Sequence, residues 1–300
     1  MNIGIITVRG SDYHPTRRLH EAAVERGHQV TVVHPYQVWP RLENGKHRLL
    51  GQPSIESLDV VMPRQGATVG DSCLALVRHL NLMGIPLVND LDAILLAKNQ
   101  FLTLMTLTES DVPVPETVFV NSAEGLQKAL DKLGGYPVVV KQVSGRQGKG
   151  IHLVNNRRDK QQICQNHLDQ RKGLIVQPFI PPKGRQDIRV FVIGGKTAAA
   201  MELVPREGDF RANFHLSCKS QPKDLLPEIE ETALKAAETV GLEIAGVDII
   251  VDQHDHISVI ETNYSPGFRG LEAATGLDIA GRIVDYVANK YGNSSPVEKY

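Results

Sequence analysis

The stretch that most constrains the fold is Gly246-Val-Asp-Ile-Ile-Val-Asp-Gln-His-Asp-His-Ile-Ser-Val-Ile-Glu-Thr-Asn-Tyr-Ser-Pro-Gly267. Two runs rich in β-branched residues, 247–252 and 257–262, flank the polar residues 253–256, which predicts an antiparallel hairpin with a four-residue loop. If Asp252 closes that loop against Ile257, Asp248 stands directly opposite Glu261. Side chains so placed have Cβ atoms about 4.5–5.5 Å apart, and like charges there repel. Asn263, two residues beyond Glu261, falls on the same face if the strand continues. Asp248, Glu261 and Asn263 are hard oxygen donors with no Cys or His among them, a set suited to Mg²⁺ shared with substrate phosphates. The competing reading is a solvated hairpin face that happens to carry acids.

A neutral chain narrows the partners. Net charge is −1 with a sequence pI near 6.8, so no global field draws nucleic acid or a membrane surface, and an acidic substrate has to be attracted locally. Cys73, Cys164 and Cys218 are odd in number, far apart and in no CxxC spacing, which argues against a disulfide framework and a zinc site and predicts a reducing cytoplasm. No basic, apolar and cleavable leader opens the chain, and no uncharged apolar run reaches the roughly 18 residues of a membrane span. Three hundred residues suffice for two or three domains.

Taken in order, strands at 2–8 and 29–33 around a helix at 16–26, then a strand at 58–63, a helix at 72–83 and a strand at 85–88, predict a small parallel sheet with helices on its faces. The first turn reads Arg9-Gly-Ser-Asp12; without GxGxxG, dinucleotide binding is disfavoured. Arg9 and Arg64 sit beyond the carboxyl ends of strands, where such sheets bind ligands, although solvated loop arginines are common there. A helix at 92–110 leads into the stiff connector Val112-Pro-Val-Pro115. The strand 137–140 ends at Lys141 and is followed by glycines 145, 148 and 150. Those glycines predict a hairpin tip able to fold over phosphates, or else a plain turn.

Residues 173–180 form a strand broken at Pro178. Strands 187–193 and 196–201 make a hairpin about Gly194-Gly195. Asp187 and Arg189 share a face of the first strand, either as a structural ion pair or with the arginine as a phosphate ligand. The loop 205–215 carries Arg206 and Arg211, positive charge that a transferring phosphoryl group needs but that a surface connector also tolerates. Amphipathic helices at 227–241 and 279–291 complete the chain, and the polar tail reads as frayed.

These residues resemble the ATP-grasp ligases, and within them the RimK-like group of glutamate ligases. The resemblance covers nearly the whole chain through Arg17-Arg-Leu-His-Glu-Ala-Ala23, Met62-Pro-Arg-Gln-Gly66, Pro137-Val-Val-Val-Lys141, Asp187-Ile-Arg189, Glu207-Gly-Asp-Phe-Arg-Ala-Asn213, Ala245-Gly-Val-Asp-Ile249, Glu261-Thr-Asn263, Ser265-Pro-Gly267 and Thr275-Gly-Leu-Asp-Ile-Ala-Gly281. It implies an α/β and α+β architecture. A pre-ATP-grasp parallel-sheet domain (1–92) would precede a small ATP-grasp subdomain with the Gly-rich loop (93–180), a large subdomain with the metal site (181–291) and a flexible tail (292–300).

It also implies that ATP and Mg²⁺ (or Mn²⁺) bind between the subdomains. Lys141 would contact phosphates, Gln177, Pro178, Phe179 and Ile180 would line the adenine pocket, and Asp187 would hold the ribose side. Arg189, Arg211 and Asn213 would bind phosphate or substrate, and Asp248, Glu261 and Asn263 would hold the metal. The implied chemistry is phosphorylation of a carboxylate and attack by an amine, with Arg211 and Lys141 as catalytic residues. L-Glutamate or a similar amino acid and an amine acceptor, such as a peptide or protein terminus, would be partners. Relatives are often tetramers, which implies a homo-oligomer whose interface the surface pattern does not reveal. A relative using a deazaflavin coenzyme or a carrier protein as acceptor, and a nucleotide-binding regulator without turnover, are the alternatives.

The chain departs from the pattern at several points. Asn99-Gln100 stands where many relatives carry a phosphate-binding lysine, and Lys98 lies two places earlier, about 200° around a helix. Pro178 replaces a glutamate, Leu203 and Val204 replace arginines, and Asn213-Phe-His-Leu-Ser-Cys218 replaces Asn-x-His-Arg-Gly-Gly. These changes cluster on the substrate side.

Overall fold

The computed structural model describes residues 1–51, 55, 57–65, 70–146, 149–205, 209–211 and 219–292. Three of the predicted features therefore lie outside the described residues in whole or part: the tip of the Gly-rich loop at 147–148, the charged loop at 206–208 and 212–218 with Asn213, and the tail at 293–300. Gly292 itself closes the last helix.

The N-terminal sheet is parallel, as expected. Strand β1 (Asn2–Ile6) lies between β2 (Gln29–Val33) and β5 (Val60–Pro63). Helix α1 (His14–Glu25) connects the first two and buries Leu19, Ala22 and Ala23, the one apolar stripe its sequence offers. Residues 85–88 add only a single bridge, Val61 to Leu87, rather than a strand. Helix α2 (Asp71–Leu82) packs on the sheet through Cys73, Leu76, Val77 and Leu80. Between β2 and β5 stands a hairpin that was not anticipated, β3 (Trp39–Glu43) paired with β4 (Lys46–Leu50). Its turn is Asn44-Gly45 with both φ values positive (51° and 73°), the geometry that matches strand twist and favours those residue types.

The predicted single helix at 92–110 is two helices, α3 (Leu91–Ala97) and α4 (Gln100–Glu109). Asn99 breaks it: its side chain accepts from the backbone N–H groups of Phe101 and Leu102, both at 3.1 Å, as an N-cap does. Strand β6 (Val118–Val120), helix α5 (Ala123–Lys132), β7 (Val138–Arg146), β8 (Lys149–Val154), helix α6 (Arg157–Asn166) and β9 (Leu174–Pro178) follow. Their four strands form one antiparallel sheet in the order β6-β9-β7-β8. Val138 and Val140 of β7 face a core made with Leu126, Leu130 and Ile163, so the alternate residues Val139 and Lys141 face the other way.

The second antiparallel sheet has the order β12-β11-β10-β13-β14, where β10 is Gln186–Ile193, β11 Lys196–Val204, β12 Lys219–Pro222, β13 Ile244–Val251 and β14 Ile257–Asn263. Helix α7 (Pro227–Val240) covers one face and ends on Gly241 in the left-handed region (φ 75°). Helices α8 (Arg269–Thr275) and α9 (Ile279–Tyr291) cover the other, where Phe191 of β10 meets Phe268, Leu271 and Ile283.

The N-terminal sheet and this large sheet share their cores. Ile6, Val61 and Leu76 belong to one buried cluster with Val190, Ala233 and Val247. Asn89 pins the junction: its amide donates to the carbonyls of Ile244 (2.8 Å) and Tyr264 (2.7 Å) and accepts from the N–H groups of Glu243 and Ile244 (both 2.8 Å). Among the described residues, no helix is long and apolar enough to cross a membrane.

Candidate active site

The β13–β14 hairpin pairs Asp248 directly with Glu261. It reaches that register by a route different from the expected one. Val251, not Asp252, pairs with Ile257, so the loop is 252–256 and every pair near it is shifted by one residue. A bulge between Asp248 and Ile249 absorbs Ile260 and restores the alignment. Gln100 holds this bulge, its Nε2 donating to the Ile260 carbonyl at 3.0 Å. Gln100, one of the positions at which the chain departs from the resembled pattern, is thus tied to the strand that carries Glu261.

Asp187 and Arg189 do not pair with each other. Arg189 crosses to the neighbouring strand and grips Asp248 through two bonds of 2.6 Å, while Asp187 accepts from Arg185 Nε at 2.9 Å. Arg185, not singled out in the sequence, also donates to the carbonyls of Ile180 and Phe210, both at 2.5 Å. It thereby joins the segment after β9 to the loop after β11. Arg185 stands just before β10, two residues ahead of Asp187, and its charge was its one local signal. Burial raises the Asp187 pKa, and Arg185 opposes the shift.

Both sheets face a cleft of about 910 Å³, open to solvent, lined by Lys141, Ile151, Gln177, Pro178 and Ile180 on one side and by Asp187, Arg189, Asp248 and Glu261 on the other. Arg185, Phe210 and Arg211 also reach it. Gln177 is buried with its Nε2 on Thr117 Oγ1 (2.9 Å), so its side chain is a structural brace. Phe179 is not among the lining residues; its ring meets Phe210 edge-on at 5.9 Å. Arg211 is clamped by Asp209 through Nε (3.0 Å) and Nη2 (2.9 Å), which raises its pKa. Asn263 donates to Asp248 Oδ2 at 3.3 Å, leaving its Oδ1 as the amide atom able to ligate a cation.

The charges in this cleft are under tension. Lys141 is buried, and loss of water draws its pKa down to about 8, with Glu261 and Asp248 pulling it up and Arg185 pushing it down. Glu261 is exposed at the cleft surface, although protein is packed around its carboxyl group. Desolvation by that packing, and secondly Asp248, hold its carboxyl above the ordinary glutamate range against Arg189 and Lys141. Arg189 lies on Asp248 through two hydrogen bonds, and Lys141 is a second cation acting on Glu261. No group of three or more His, Cys, Asp or Glu suited to a metal occurs among the described residues. The donor set is therefore two carboxylates and an amide, which fits Mg²⁺ completed by phosphate oxygens and fits zinc poorly.

Two facing antiparallel sheets with cations and an acid pair between them define an ATP-grasp enzyme. Residues 1–94 match the RimK pre-ATP-grasp domain and residues 97–287 match the RimK-like ATP-grasp domain. A probable alpha-L-glutamate ligase of Thioalkalivibrio sulfidiphilus is 37% identical over 288 residues, covering 96% of this chain and 95% of that protein. The fold is shared with a RimK domain ATP-grasp protein from Sphaerobacter thermophilus (TM-score 0.73, 24% identity, 96% of this chain and 99% of that one). It is also shared with the ATP-grasp ligase PsnB complexed with minimal precursor, Mg and ADP (TM-score 0.73, 20% identity, 96% and 97%). The chain belongs to the RimK-like ATP-grasp family and is an ATP-dependent ligase.

Proposed function

We propose that this ligase joins L-glutamate to the terminus of an amino acid, peptide or protein. In the proposed reaction, a carboxylate oxygen takes the terminal phosphoryl group of ATP, releasing ADP. An amine then attacks the acylphosphate carbon, loses a proton and expels phosphate, leaving an amide bond.

The observation that carries this reading is the convergence of buried Lys141, the Arg189-held Asp248 and the high-pKa Glu261 on one cleft. Lys141 and Arg189 offset phosphate charge, and Asp248, Glu261 and Asn263 are the residues that would hold Mg²⁺, or Mn²⁺ in its place. When bound, the ion would neutralise the phosphates during transfer. Gln177, Pro178 and Ile180 form the adenine side, with Phe179 packed against Phe210 rather than on the cleft wall and Asp187 toward the ribose. Arg211 and Asn213 attend the substrate, Arg211 stabilising charge that develops on the acyl group. We assign 1–92, 93–180 and 181–291 as the three structural units. The cytoplasm and a homo-oligomeric state accord with the cysteine usage and with relatives respectively.

One observation favours an acceptor other than an acidic terminus, such as a coenzyme or carrier protein: Leu203, standing where relatives keep an arginine, lines the cleft and makes that wall apolar. Mass spectrometry of products from ATP, L-glutamate and candidate amines, with phosphate release measured alongside, tests the proposal. A glutamate mass increment with ADP formation is expected, and no phosphate release with any mixture refutes it.

A further inference from the structure

One cation at the domain junction lacks the partner that its neighbours have. Arg18 of α1 and Arg26 at its C-cap reach Glu272, Asp278 and Asp285, and the cleft arginines 185, 189 and 211 are each on an aspartate. Arg64 pairs with no carboxylate among the described residues. The adjoining residues 66–69, Gly-Ala-Thr-Val, contain no acid either.

Its position is tightly set. The Arg64 backbone N–H donates to the Ile6 carbonyl (2.8 Å), which fixes it at the carboxyl end of the parallel sheet. Its side chain crosses to the other domain, where Nη2 donates to the Pro266 carbonyl at 2.6 Å and Cζ lies 6.0 Å from the Phe268 ring centroid. Nε is buried without a hydrogen-bond partner. His14 flanks the same ring at 5.7 Å, and its Nδ1 is likewise buried and unpartnered, while its Nε2 lies 3.4 Å from Glu272.

Two orphaned polar atoms at one uncompensated guanidinium are costly, and the guanidinium is the one charged group among the six buried side chains that hold an unpartnered polar atom in the described residues. Loss of water draws the Arg64 pKa down to about 10, so the charge persists at neutral pH. Pro266 lies three residues beyond Asn263, so this cation is held on the loop that follows the strand carrying Glu261. The loop is seated there by close packing, since a Cβ on Gly246 would come within 2.8 Å of Pro266.

We propose that Arg64, with His14 beside it, forms a carboxylate-binding subsite for a substrate, at the seam between the parallel sheet and the loop after β14. The assignment rests on the ligase reading of the cleft. The carboxylate could belong to the amino acid being joined or to the acceptor, and both are the same chemistry to a guanidinium.

Titration calorimetry of protein loaded with Mg²⁺ and ADP, using glutarate as an amine-free dicarboxylate probe, tests the subsite without turnover. Wild type binds, Arg64→Met weakens binding about ten- to a hundredfold, as loss of one charge-assisted pair implies, and Arg64→Lys falls between. Circular dichroism and melting temperature check that both variants fold, and Arg64→Lys keeps the test alive if Arg64→Met does not. In the phosphate-release assay the source is read from KM. Arg64→Met raises KM for L-glutamate if the amino acid is held, or for L-glutamyl-L-glutamate if the acceptor is held, with KM for ATP unchanged. Glutarate that fails to bind wild type, or binds wild type and folded variants alike, overturns the subsite. Absence of phosphate release from wild type would overturn the ligase reading instead, and the glutarate titration would still decide the subsite.

Discussion

Arg189 and Asp248 form a two-pronged ion pair across adjacent strands, with Nε on Oδ1 and Nη2 on Oδ2, both at 2.6 Å. Their side chains are only 14% and 22% exposed, so the pair is partly dry and its loss is uneven in effect. Arg189→Met leaves Asp248 facing Glu261 with no direct counter-charge, and a drop of about 2 kcal/mol in unfolding free energy is expected. Urea denaturation measures it, and Mg²⁺ with ADP should recover part of the loss. Unchanged stability would mean that the pair is not what holds the acids together.

Asp248→Ala relieves the repulsion on Glu261 but leaves Arg189 without its aspartate, so the two effects oppose each other and the fold is kept. Turnover is abolished and Mg²⁺-nucleotide binding weakens, while circular dichroism stays that of the wild type. Wild-type phosphate release from the variant would remove Asp248 from the site.

Lys141 carries a sign that can be checked against pH. Its folded pKa of about 8 lies below the ordinary 10.5, so between those values the unfolded chain binds more protons than the folded one. Stability from this group is therefore present above 10.5 and lost as pH falls through 8. Lys141→Met should be more stable than wild type at pH 7, by up to about 3 kcal/mol, and should lack the wild-type rise in stability above pH 8. Its turnover should be lost, and wild-type kcat/KM should decline above about pH 8 as the ammonium discharges. A stability profile identical in both proteins would show that Lys141 is not strained.

Arg211→Ala should lower kcat by about 10²–10³ while KM for ATP barely moves, because the proposed partner is charge that forms during reaction. Asp209→Ala, which removes the clamp at 2.9 Å and 3.0 Å, should produce a smaller loss of the same kind. Steady-state kinetics with ATP and L-glutamate varied separately measures both. Equal kinetics in mutant and wild type would refute the role.

Gln100→Leu should remove the 3.0 Å bond to Ile260 and destabilise by about 1 kcal/mol. A weakened Mg²⁺ dependence of turnover would follow if the bulge sets the place of Glu261. Loss of stability with an unchanged Mg²⁺ response would restrict Gln100 to a structural part.

How far these features were legible follows from the range of each signal. The facing of Asp248 and Glu261 could be read because a strand has a period of two and the flanks were β-rich. The bulge at Ile260 could not, since it depends on Gln100, 160 residues away, and two compensating offsets left the critical pair in place. The break at Asn99 was legible in principle, since Asn is a favoured N-cap, but the apolar residues on both sides masked it. The Asn44-Gly45 hairpin carried a clear turn signal that the sparse, exposed flanks of β3 and β4 did not reinforce. Arg185 and the reach of Arg64 to Pro266 are tertiary facts. Local sequence marks such residues as charged, not as bridges.

The position of the divalent ion tests the central claim most directly. Crystals grown with Mn²⁺ and a non-hydrolysable ATP analogue would locate the ion by anomalous scattering. The account predicts a peak beside Asp248, Glu261 and Asn263, with the nucleotide phosphates toward Lys141. A peak elsewhere, or a nucleotide bound outside this cleft, would contradict it.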